Sequence, residues 1–387
     1  MRKLIYMDNA ATTKIHPDVL KAMLPYLKES YGNPSSIYSL GHESKEAIEL
    51  SRNKVAKALN AQSNEIFFTS GGSESDNWAI KGIAFANQDK GKHIISTNIE
   101  HHAVLHTCKY LEKYGFEITY LPVKSNGILD IKDLKKAIRK DTILISVMFA
   151  NNEIGTIQPI KEIGEIAKKH NIYFHTDAVQ AVGNIPIDVN KLNIDLLSLS
   201  GHKFNAPKGV GVLYIRKGTN ISSMIHGGGQ ESNMRAGTEN VANIVGLGKA
   251  INLATKDIQK KNSYVSQLRD NLIQGILKEI PDTIVNGDMQ NRLPGNVNVC
   301  FKYIEGESIL LMLDQLGICA SSGSACTSGS LEPSHVLLAL GLPHEIAHGS
   351  LRLTLSKENT KEEVNFVLSV LPDIVKKLRS MSPLTKN

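Results

Sequence analysis

A lysine follows directly on an apolar strand pattern in SLSGHKFNAPKG, residues 198–209. Lys203 would therefore stand just beyond the carboxyl end of a buried strand, which is where α/β sheets bind their ligands. An amine at that place could form an imine with a carbonyl compound. Taken alone, Lys203 is also compatible with a strand-end lysine whose charge simply reaches water.

An acidic residue occupies the corresponding place in a second segment, IYFHTDAVQAVG, residues 172–183. Here an apolar strand pattern runs into Asp177, and Gln180 follows three residues later. A carboxylate at a strand end can hold a protonated pyridine nitrogen. A lysine paired with such an aspartate is typical of pyridoxal phosphate (PLP) sites. Taken alone, Asp177 is equally compatible with a turn or cap residue.

A glycine pair links a strand pattern to a helix pattern in FFTSGGSESDNWAI, residues 67–80. Gly71 and Gly72 would let the backbone approach an anion closely, and the free N–H groups of a helix starting at Ser73 would complement a phosphate. The same residues also fit a capping box, with Ser73 as N-cap and Asp76 three positions on. The two interpretations are compatible with one another.

Histidines follow a further strand pattern in TNIEHHAVLH, residues 97–106. An imidazole at His101 could stack on a pyridine ring and carry protons, because its pKa lies near neutrality. The pair His101–His102 also invites a metal site, but no cysteine or histidine spacing in this segment completes a closed zinc site. A structural histidine is the remaining alternative.

One of the four cysteines, Cys326, lies in SSGSACTSGS, residues 321–330, which has little apolar surface to bury. Since free cysteines are usually buried, a cysteine kept on such a segment indicates a reactive thiol. A packed cysteine in a turn is the alternative. Cys108, Cys300 and Cys319 sit in apolar patterns and are expected to be buried, and the chain has too few cysteines for a disulfide framework.

The elements that position these residues alternate between strand and helix through the middle of the chain. Seven segments are typical of strands: 65–70, 93–98, 117–123, 142–150, 172–178, 194–200 and 209–215. Helical patterns include 73–88, 130–140 and 160–170. Several strands are apolar at consecutive positions, as expected for strands covered on both faces. The alternation predicts an α/β fold with a mostly parallel seven-stranded sheet between helices.

The pattern changes after about residue 255, where a long polar helix pattern at 260–280 leads to strands at 295–301 and 350–356 and to a final helix. We therefore predict an N-terminal arm at 1–15 near the active cleft, a large domain at 16–255, and a smaller α+β domain at 256–387. The loop with Cys326, at about 321–335, belongs to the smaller domain.

The composition is that of an ordinary globular protein, with 387 residues, 41% of them hydrophobic and 21% charged, and a formal net charge of +6. The lysines are scattered among acidic residues, which disfavours nucleic-acid binding and leaves small anions or acidic protein partners. No apolar run is long enough to span a bilayer, and polar residues appear too early for a signal peptide. The reducing cytoplasm is the expected compartment.

Blocks along essentially the whole chain resemble the cysteine desulfurases of the NifS/IscS group. These are PLP enzymes of fold type I in the class V aminotransferase family. The most specific blocks are SGHK at 200–203 and SGSACTSGSLEPSHVL at 322–337. Further blocks are YMDNAATT, YGNPSS, FTSGGSESDN, EHHAVL, NNEIGTIQPI, HTDAVQAVG, GGGQESNMRAGTEN and AHGSLRLTLS.

The resemblance implies a role for each matching position around the pyridine ring. Lys203 matches the family's Schiff-base lysine, and His101 matches the residue stacked on the ring. Asp177 matches the partner of the pyridinium nitrogen. Gln180 and Asn152 match contacts near the phenolate oxygen, and Asn152 also lies beside the substrate.

The resemblance also implies the residues that hold the phosphate and the substrate. The matching phosphate contacts are Gly72, Ser73, Ser200 and His202, together with Thr238 from the neighbouring subunit of a homodimer. Ser73 stands where many relatives have threonine, and the hydroxyl is retained. Arg352 matches the clamp for the substrate carboxylate, and Asn33 lines the same end of the site.

The reaction implied by the resemblance is the removal of sulfur from L-cysteine, which yields L-alanine and a persulfide on Cys326. The extended loop is similar to that of the group whose members pass sulfur directly to a scaffold protein. The implied acceptor is an iron–sulfur scaffold of the NifU/IscU type, or a system for other thio-cofactors or tRNA thiolation. No resident metal is implied, although Cys326 could contact an iron–sulfur cluster transiently. The alternatives are a small-substrate aminotransferase, a selenocysteine lyase and a non-catalytic PLP-binding regulator.

Overall fold

The computed structural model describes residues 4–322 and 333–383. Within these ranges the strands are β1 (Ile5–Tyr6), β2 (Ile66–Thr69), β3 (His93–Thr97), β4 (Glu117–Leu121), β5 (Thr142–Ser146), β6 (Tyr173–Asp177), β7 (Leu196–Ser200), β8 (Gly211–Ile215), β9 (Thr283–Val285), β10 (Asn296–Phe301), β11 (Ile318–Cys319) and β12 (Ser350–Thr354). The helices are α1 (Pro17–Lys28), α2 (Ser39–Leu59), α3 (Gly72–Ala86), α4 (His102–Glu112), α5 (Ile131–Ala137), α6 (Ile160–Lys169), α7 (Gln230–Asn233), α8 (Val241–Thr255), α9 (Ile258–Glu279), α10 (Gly306–Gln315), α11 (His335–Ala339), α12 (His344–Ala347) and α13 (Lys361–Met381). Two short 3₁₀ turns cover Ser63–Glu65 and Gly201–Lys203.

The seven strand segments predicted from the sequence form one sheet in the order β2–β8–β7–β6–β5–β3–β4. Neighbouring strands from β7 to β4 pair in parallel, whereas β8 runs antiparallel to both β2 and β7. The predicted α/β fold with a mostly parallel central sheet is therefore confirmed. Because all strands except β8 run the same way, their carboxyl ends meet along one edge of the sheet.

Helices cover both faces of this sheet, which explains why its strands are apolar at consecutive positions. Adjacent residues point to opposite faces, so Ile94 and Ile95 belong to different cores, as do Leu144 and Ile145. One core is completed by side chains of α1, α2, α6 and α8, and the other by side chains of α3 and α4. The sheet is thereby held rigid, with its carboxyl edge free to carry a site.

A third apolar core lies in the C-terminal part of the chain. Its antiparallel sheet has the order β12–β10–β9 and is packed by α9, α10 and α13. Helix α9 contributes Val265, Leu268, Leu272 and Ile276, whose spacing of three to four residues places them on one face. No helix in the described part of the chain combines the length and the apolar character needed to cross a bilayer.

The N-terminal segment connects the smaller C-terminal unit with the large sheet. Strand β1 pairs in parallel with β11, Ile5 facing Ile318 and Tyr6 facing Cys319. Further along, the Ala10 amide donates to Thr354 Oγ1 at 2.8 Å, and the Thr13 amide donates to the His202 carbonyl at 2.9 Å. The segment therefore runs from the smaller sheet to the turn that follows β7. The domain boundaries at residues 15 and 255 remain a prediction.

Candidate active site

A cavity of about 440 Å³ opens at the carboxyl edge of the large sheet. Ten of the residues predicted for the site line this cavity: Gly72, Ser73, His101, Asn152, Asp177, Gln180, Ser200, His202, Lys203 and Arg352. They follow β2, β3, β5, β6 and β7, with Arg352 added from β12. Among the described residues, none of the cavity lining comes from β8, the antiparallel strand. The site residues therefore meet because the other strands of the sheet run in the same direction.

Lys203 ends the 3₁₀ turn that follows β7, and its amine lies in the cavity wall. Its Nζ donates to the carbonyl oxygens of Ala10 and Ala11 at 2.7 and 2.9 Å. Gln180 Nε2 donates to the same Ala10 oxygen at 3.0 Å. The N-terminal segment therefore holds both side chains in place, and it forms part of the wall on which any ligand of the cavity would rest.

Asp177 is the last residue of β6 and is buried in the cavity wall. Its Oδ1 accepts a hydrogen bond from the Val179 amide at 2.9 Å. Burial raises its pKa to about 6, although the Val179 bond and the charge of Lys203 act in the opposite direction. A buried carboxylate of this kind is stabilised by a cationic N–H ligand, and a protonated pyridine nitrogen is such a ligand.

A second buried carboxyl, Asp76 on α3, lines the same cavity and is not among the residues predicted for the site. Its Oδ1 is 3.6 Å from His175 Nε2 and, within the described structure, accepts no hydrogen bond. Burial and the neighbouring charge of Asp177 raise the pKa of Asp76 well above its ordinary value. Two buried carboxyls that raise the pKa in this way resist ionising together, so Asp76 is harder to ionise while Asp177 is charged.

His175 completes this polar layer beneath the cavity. Burial lowers its pKa to about 3, so the ring is neutral. Its Nδ1 lies 2.8 Å from Ser146 Oγ and its Nε2 lies 3.0 Å from Ser198 Oγ. A neutral imidazole between two hydroxyls adds no positive charge beside Asp177, so the charge opposing it comes from Lys203 and from any cationic ligand of the cavity.

The glycine pair forms the turn between β2 and α3. Gly71 has φ +157°, a conformation that residues with side chains rarely adopt. A Cβ on Gly72 would lie 2.7 Å from Val179 Cγ2, so no larger residue fits there without movement. The backbone can thus approach an anion closely at the start of α3, where the helix dipole is positive.

The alternative capping box at Ser73 is not what the structure has. Helix α3 begins at Gly72 with Gly71 as its N-cap, and no side chain caps it. Asp76 instead lies in the buried layer described above. The Glu74 carboxylate accepts a hydrogen bond of 2.8 Å from the amide of Ser70, which precedes the glycine pair. The first amides of α3 are therefore left for a ligand, as the phosphate interpretation requires.

Ser200 and His202 extend the same wall. Ser200 is the buried last residue of β7. His202 Nδ1 lies 3.0 Å from Thr12 Oγ1. Burial and the charges of Lys203 and Lys208 lower the pKa of His202 to about 4, so its ring is neutral. Hydroxyl and imidazole groups beside a free helix start provide the donors that a phosphate prefers.

His101 is the N-cap of α4, and this position determines its tautomer. Its Nδ1 accepts the Ala103 amide at 3.1 Å. Burial, followed by the charges of Lys203 and His335, lowers the pKa of His101 to about 4. Because Nδ1 is an acceptor, the proton of the neutral ring is on Nε2. His101 therefore presents an N–H donor without carrying a positive charge.

Two further histidines, His102 and His335, line the cavity, and neither was predicted to have a role there. The ring centroids of His102 and His335 are 4.7 Å apart, and those of His102 and His106 are 5.0 Å apart. His335 Nε2 lies 3.0 Å from the Glu100 carbonyl oxygen, which ties α11 to the segment before α4. The signal for His335 was its place in the block that also contains Cys326.

Arg352 reaches the cavity from β12 and is almost fully buried, with 2% of its surface exposed. Its guanidinium donates to Asp8 Oδ1 at 2.9 Å and to the Asn152 carbonyl oxygen at 3.1 Å. Asn152 and Arg352 are therefore in direct contact at the end of the cavity nearest the smaller sheet. A guanidinium held there is suited to a carboxylate ligand.

Three further residues are predicted for the site. Cys326 lies outside the described residues. Thr238 and Asn33 are exposed and do not line the cavity, and Asn33 Oδ1 accepts the Ser35 amide at 3.0 Å. Of the cysteines expected to be buried, Cys108 and Cys300 are buried, but Cys319 is only half-buried because it lies on the two-residue strand β11.

The donor set of the cavity fits PLP. Asp177 suits the ring nitrogen, the start of α3 with Ser200 and His202 suits the phosphate, and Lys203 supplies a primary amine. The neutral His101 suits a position over the ring.

Comparisons with known proteins agree with this fit. Residues 5–367 match the family model for class-V aminotransferases. The chain is 67% identical over 383 residues to the cysteine desulfurase IscS of Methanosarcina thermophila, covering 99% of this chain and 95% of the relative. The class defined by fold and site is therefore that of PLP-dependent class-V aminotransferases.

Solved structures place the chain more narrowly. A NifS-like protein matches with a TM-score of 0.91 at 41% identity, covering 98% of this chain and all of that one. SspA in complex with cysteine matches with a TM-score of 0.82 at 38% identity, covering 92% of this chain and 100% of that one. Within its class the chain belongs to the cysteine desulfurase family.

Proposed function

We propose that this protein removes sulfur from L-cysteine, with Cys326 as the first sulfur acceptor and L-alanine as the other product. The observation that carries the proposal is the meeting of Lys203, Asp177, His101 and Arg352 in one cavity. The net reaction is balanced: the C–S bond of cysteine breaks, and its sulfur joins the Cys326 sulfur as a persulfide. The Cβ of the product receives a proton in place of sulfur.

The bound cofactor supplies an electron sink for the carbon atoms of the substrate. The protein's part begins with orientation. Arg352 holds the substrate carboxylate, and the neighbouring Asn152 limits where the rest of the molecule lies. Since Arg352 is already buried and fixed by Asp8, little ordering is needed when a substrate binds.

Lys203 and His101 move protons in this proposal. Lys203 is the amine that takes the proton from the substrate Cα, and the carbonyls of Ala10 and Ala11 define its resting position. His101 donates from Nε2 to the departing sulfur or to the substrate nitrogen, because its Nδ1 is occupied by the Ala103 amide. Both groups line the cavity in which the substrate would lie, which supports these roles.

Sulfur removal requires the Cys326 thiolate, and the described residues on either side of 323–332 are fixed near the cavity. Ser322 accepts a hydrogen bond from Ser350 Oγ at 2.7 Å through its carbonyl oxygen. On the other side, Ser334 Oγ donates to the buried Glu153 carboxylate next to Asn152. These anchors support a role for Cys326 at the same cavity.

We propose that the working unit is a homodimer in which Thr238 completes the partner's phosphate site. Thr238 is exposed, yet the segment before it is firmly held. Glu231 accepts two hydrogen bonds from Arg52 at 2.8 and 2.9 Å, and Arg235 pairs with Glu74 at 2.8 Å. A rigid segment with an exposed hydroxyl is suited to a neighbouring subunit. Asn33, also exposed, is proposed to approach the substrate end of the site in that dimer.

We further propose that the persulfide sulfur passes to an iron–sulfur scaffold protein of the NifU/IscU type in the cytoplasm. The relatives named IscS and NifS-like support this acceptor class. The modest charge of +6 and the scattered lysines support a protein acceptor over a nucleic acid.

The proposed reaction is tested with sulfur-labelled L-cysteine and the holoenzyme. The parent protein should form alanine and carry label on Cys326 that a thiol reductant releases. Cys326→Ser should keep the bound-cofactor spectrum but lose more than about 100-fold in alanine formation, because the sulfur has no acceptor. The matched variant Cys319→Ser should remain active. Alanine formation at the parental rate by Cys326→Ser would favour a different reaction.

The shared site is tested by mixing Lys203→Ala and Thr238→Ala proteins under conditions of subunit exchange and limiting cofactor. If Thr238 acts in the partner's site, each mixed dimer contains one intact site and one doubly altered site. Activity should then recover to about one quarter of the parental value, since half of the dimers are mixed. If Thr238 acts in its own subunit, mixing the two variants restores no activity.

A further inference from the structure

A second cavity, of about 110 Å³, lies behind the active-site cavity. We call it the rear cavity. The side chains or backbone of Ala10, Gln180 and Lys203 line both cavities, so the N-terminal segment and the Schiff-base lysine form the wall between them. On its far side the rear cavity is lined by residues of α8 and α9 and by the chain following β12. It therefore lies where the large sheet unit meets the smaller one.

The charged groups around the rear cavity are all of one sign. Lys203, Lys261 and Lys357 line it, with His16 as a further titratable group. No aspartate or glutamate is among the described residues that line it. Several amides complete the wall, including Asn184, Asn205, Asn262 and Asn296. Lys203 has Asp177 as an opposing charge, whereas Lys261 and Lys357 face no carboxylate among the described lining residues, and such a pair attracts anions from solvent.

The charged form of Lys261 is disfavoured by this arrangement. Its Nζ donates to the carbonyl oxygens of Gly183 and Ala254. Within the described structure no carboxylate lies within salt-bridge distance of it. Burial, together with the charge of Lys357, lowers its pKa to about 8. A half-buried ammonium group facing another lysine is stabilised when an anion enters.

Asn262 gives a second indication that the rear cavity has an unsatisfied polar lining. Its Nδ2 donates to the Asn184 carbonyl at 2.6 Å, which fixes the orientation of the amide. Its Oδ1 is buried and, in the part of the chain that is described, accepts no hydrogen bond. Buried polar atoms normally have partners, and because an anion offers no donor, a water molecule held beside a bound anion would complete this wall.

We propose that the rear cavity binds a small anion, a carboxylate or an oxyanion, held between Lys261 of α9 and Lys357 after β12. The site is separate from the sulfur chemistry and does not depend on the proposed function. Its position gives the anion a structural effect. Both lysines belong to the smaller unit, whereas His16, Asn184 and Asn205 belong to the larger one, so a bound anion joins the two.

The test measures thermal unfolding of the holoenzyme, in which the phosphate site is already filled by cofactor. Sodium sulfate and sodium acetate are titrated up to about 10 mM, against sodium chloride at equal ionic strength. We expect a saturable rise of about 2 °C in the unfolding midpoint with sulfate, acetate or both. A response to sulfate alone identifies an oxyanion site, and a response to acetate alone identifies a carboxylate site.

Three variants separate the rear cavity from other sites. Lys357→Gln, at an exposed position that tolerates change, should abolish most of the rise, and Lys261→Gln should do the same. Lys260→Gln is the matched control, because Lys260 is exposed, precedes Lys261 and does not line the cavity. A rise that is equal in all three variants reflects general salt effects or binding at Arg352 and overturns the proposal. The absence of any saturable rise in the parent protein overturns it as well.

Discussion

Replacing Asp177 by asparagine should raise the thermal stability of the apoenzyme and lower the activity of the enzyme. Burial raises the pKa of Asp177 from 3.8 to about 6. That rise corresponds to about 3 kcal/mol of destabilisation when the carboxylate is ionised, because each tenfold change in an equilibrium is worth about 1.4 kcal/mol. An asparagine side chain has nearly the same shape and no charge, so the apoenzyme of Asp177→Asn should be more stable than the parent at pH 7.5.

The sign of the pH dependence follows from the direction of the shift. An acid whose folded pKa is raised destabilises the fold above that pKa, where it is ionised, and has no such effect below its unfolded pKa. The stability gained by Asp177→Asn should therefore be complete above about pH 6.5 and should vanish as the pH falls from 6 to 4. Asp76, whose pKa the charge of Asp177 helps to raise, adds to the gain in the same direction.

The assay is thermal unfolding of the two apoenzymes between pH 4 and 8, with Asp89→Asn as an exposed control. We expect a midpoint about 3 to 6 °C higher for Asp177→Asn at pH 7.5 and equal midpoints near pH 4. The same variant should bind PLP and form alanine at least about 100-fold less well, because the ring nitrogen would lose the anionic partner that we propose for it. A lower midpoint at pH 7.5, or a gain independent of pH, would refute this account of Asp177.

Two further predictions concern the phosphate turn and the segment before Thr238. Gly72→Ala should weaken PLP binding about 10-fold, because the added Cβ would lie 2.7 Å from Val179 Cγ2. Adding Val179→Ala to the same chain should restore binding, measured by equilibrium absorbance. If the double variant binds no better than Gly72→Ala, this steric explanation fails. Glu231→Gln should lower the free energy of unfolding by about 3 kcal/mol, because it leaves the buried Arg52 beside a neutral group. Glu49 is the exposed partner of Arg52, so Glu49→Gln should lower it by less than about 1 kcal/mol. Both free energies are measured by urea unfolding. Similar losses in both variants would contradict the assigned difference in burial.

The residues at the carboxyl edge of the sheet can be predicted from the sequence, because a strand pattern depends only on residues that are close together in the chain. Asp177, Ser200 and Lys203 could be placed together once their segments were recognised as parallel strands, since the carboxyl ends of such strands must meet. The turn at Gly71 and Gly72 was recognised for the same reason. In each case the residues next to a strand end carried the information.

Other parts of the site depend on contacts between distant segments. The His335 side chain meets the Glu100 carbonyl across 235 residues, and no local pattern indicates that pairing. The sequence also permits a capping box in which Ser73 is the N-cap and Asp76 lies three positions on. The helix begins at Gly72, and the buried face of α3 then carries Asp76 towards His175. Tertiary packing decided both positions.

The pairing of β1 with β11 has a consequence for how the protein is made. Ile5 finds its partner Ile318 only after more than three hundred further residues have been synthesised. The carbonyls that hold Lys203 belong to this same N-terminal segment, and Asp8 steadies Arg352 from it. A ribosome-bound chain that has completed its large sheet therefore still lacks one wall of its pocket. The groups that hold Lys203 and Arg352 therefore share one segment, and the strands it contacts, β11 and β12, are the last two in the described chain.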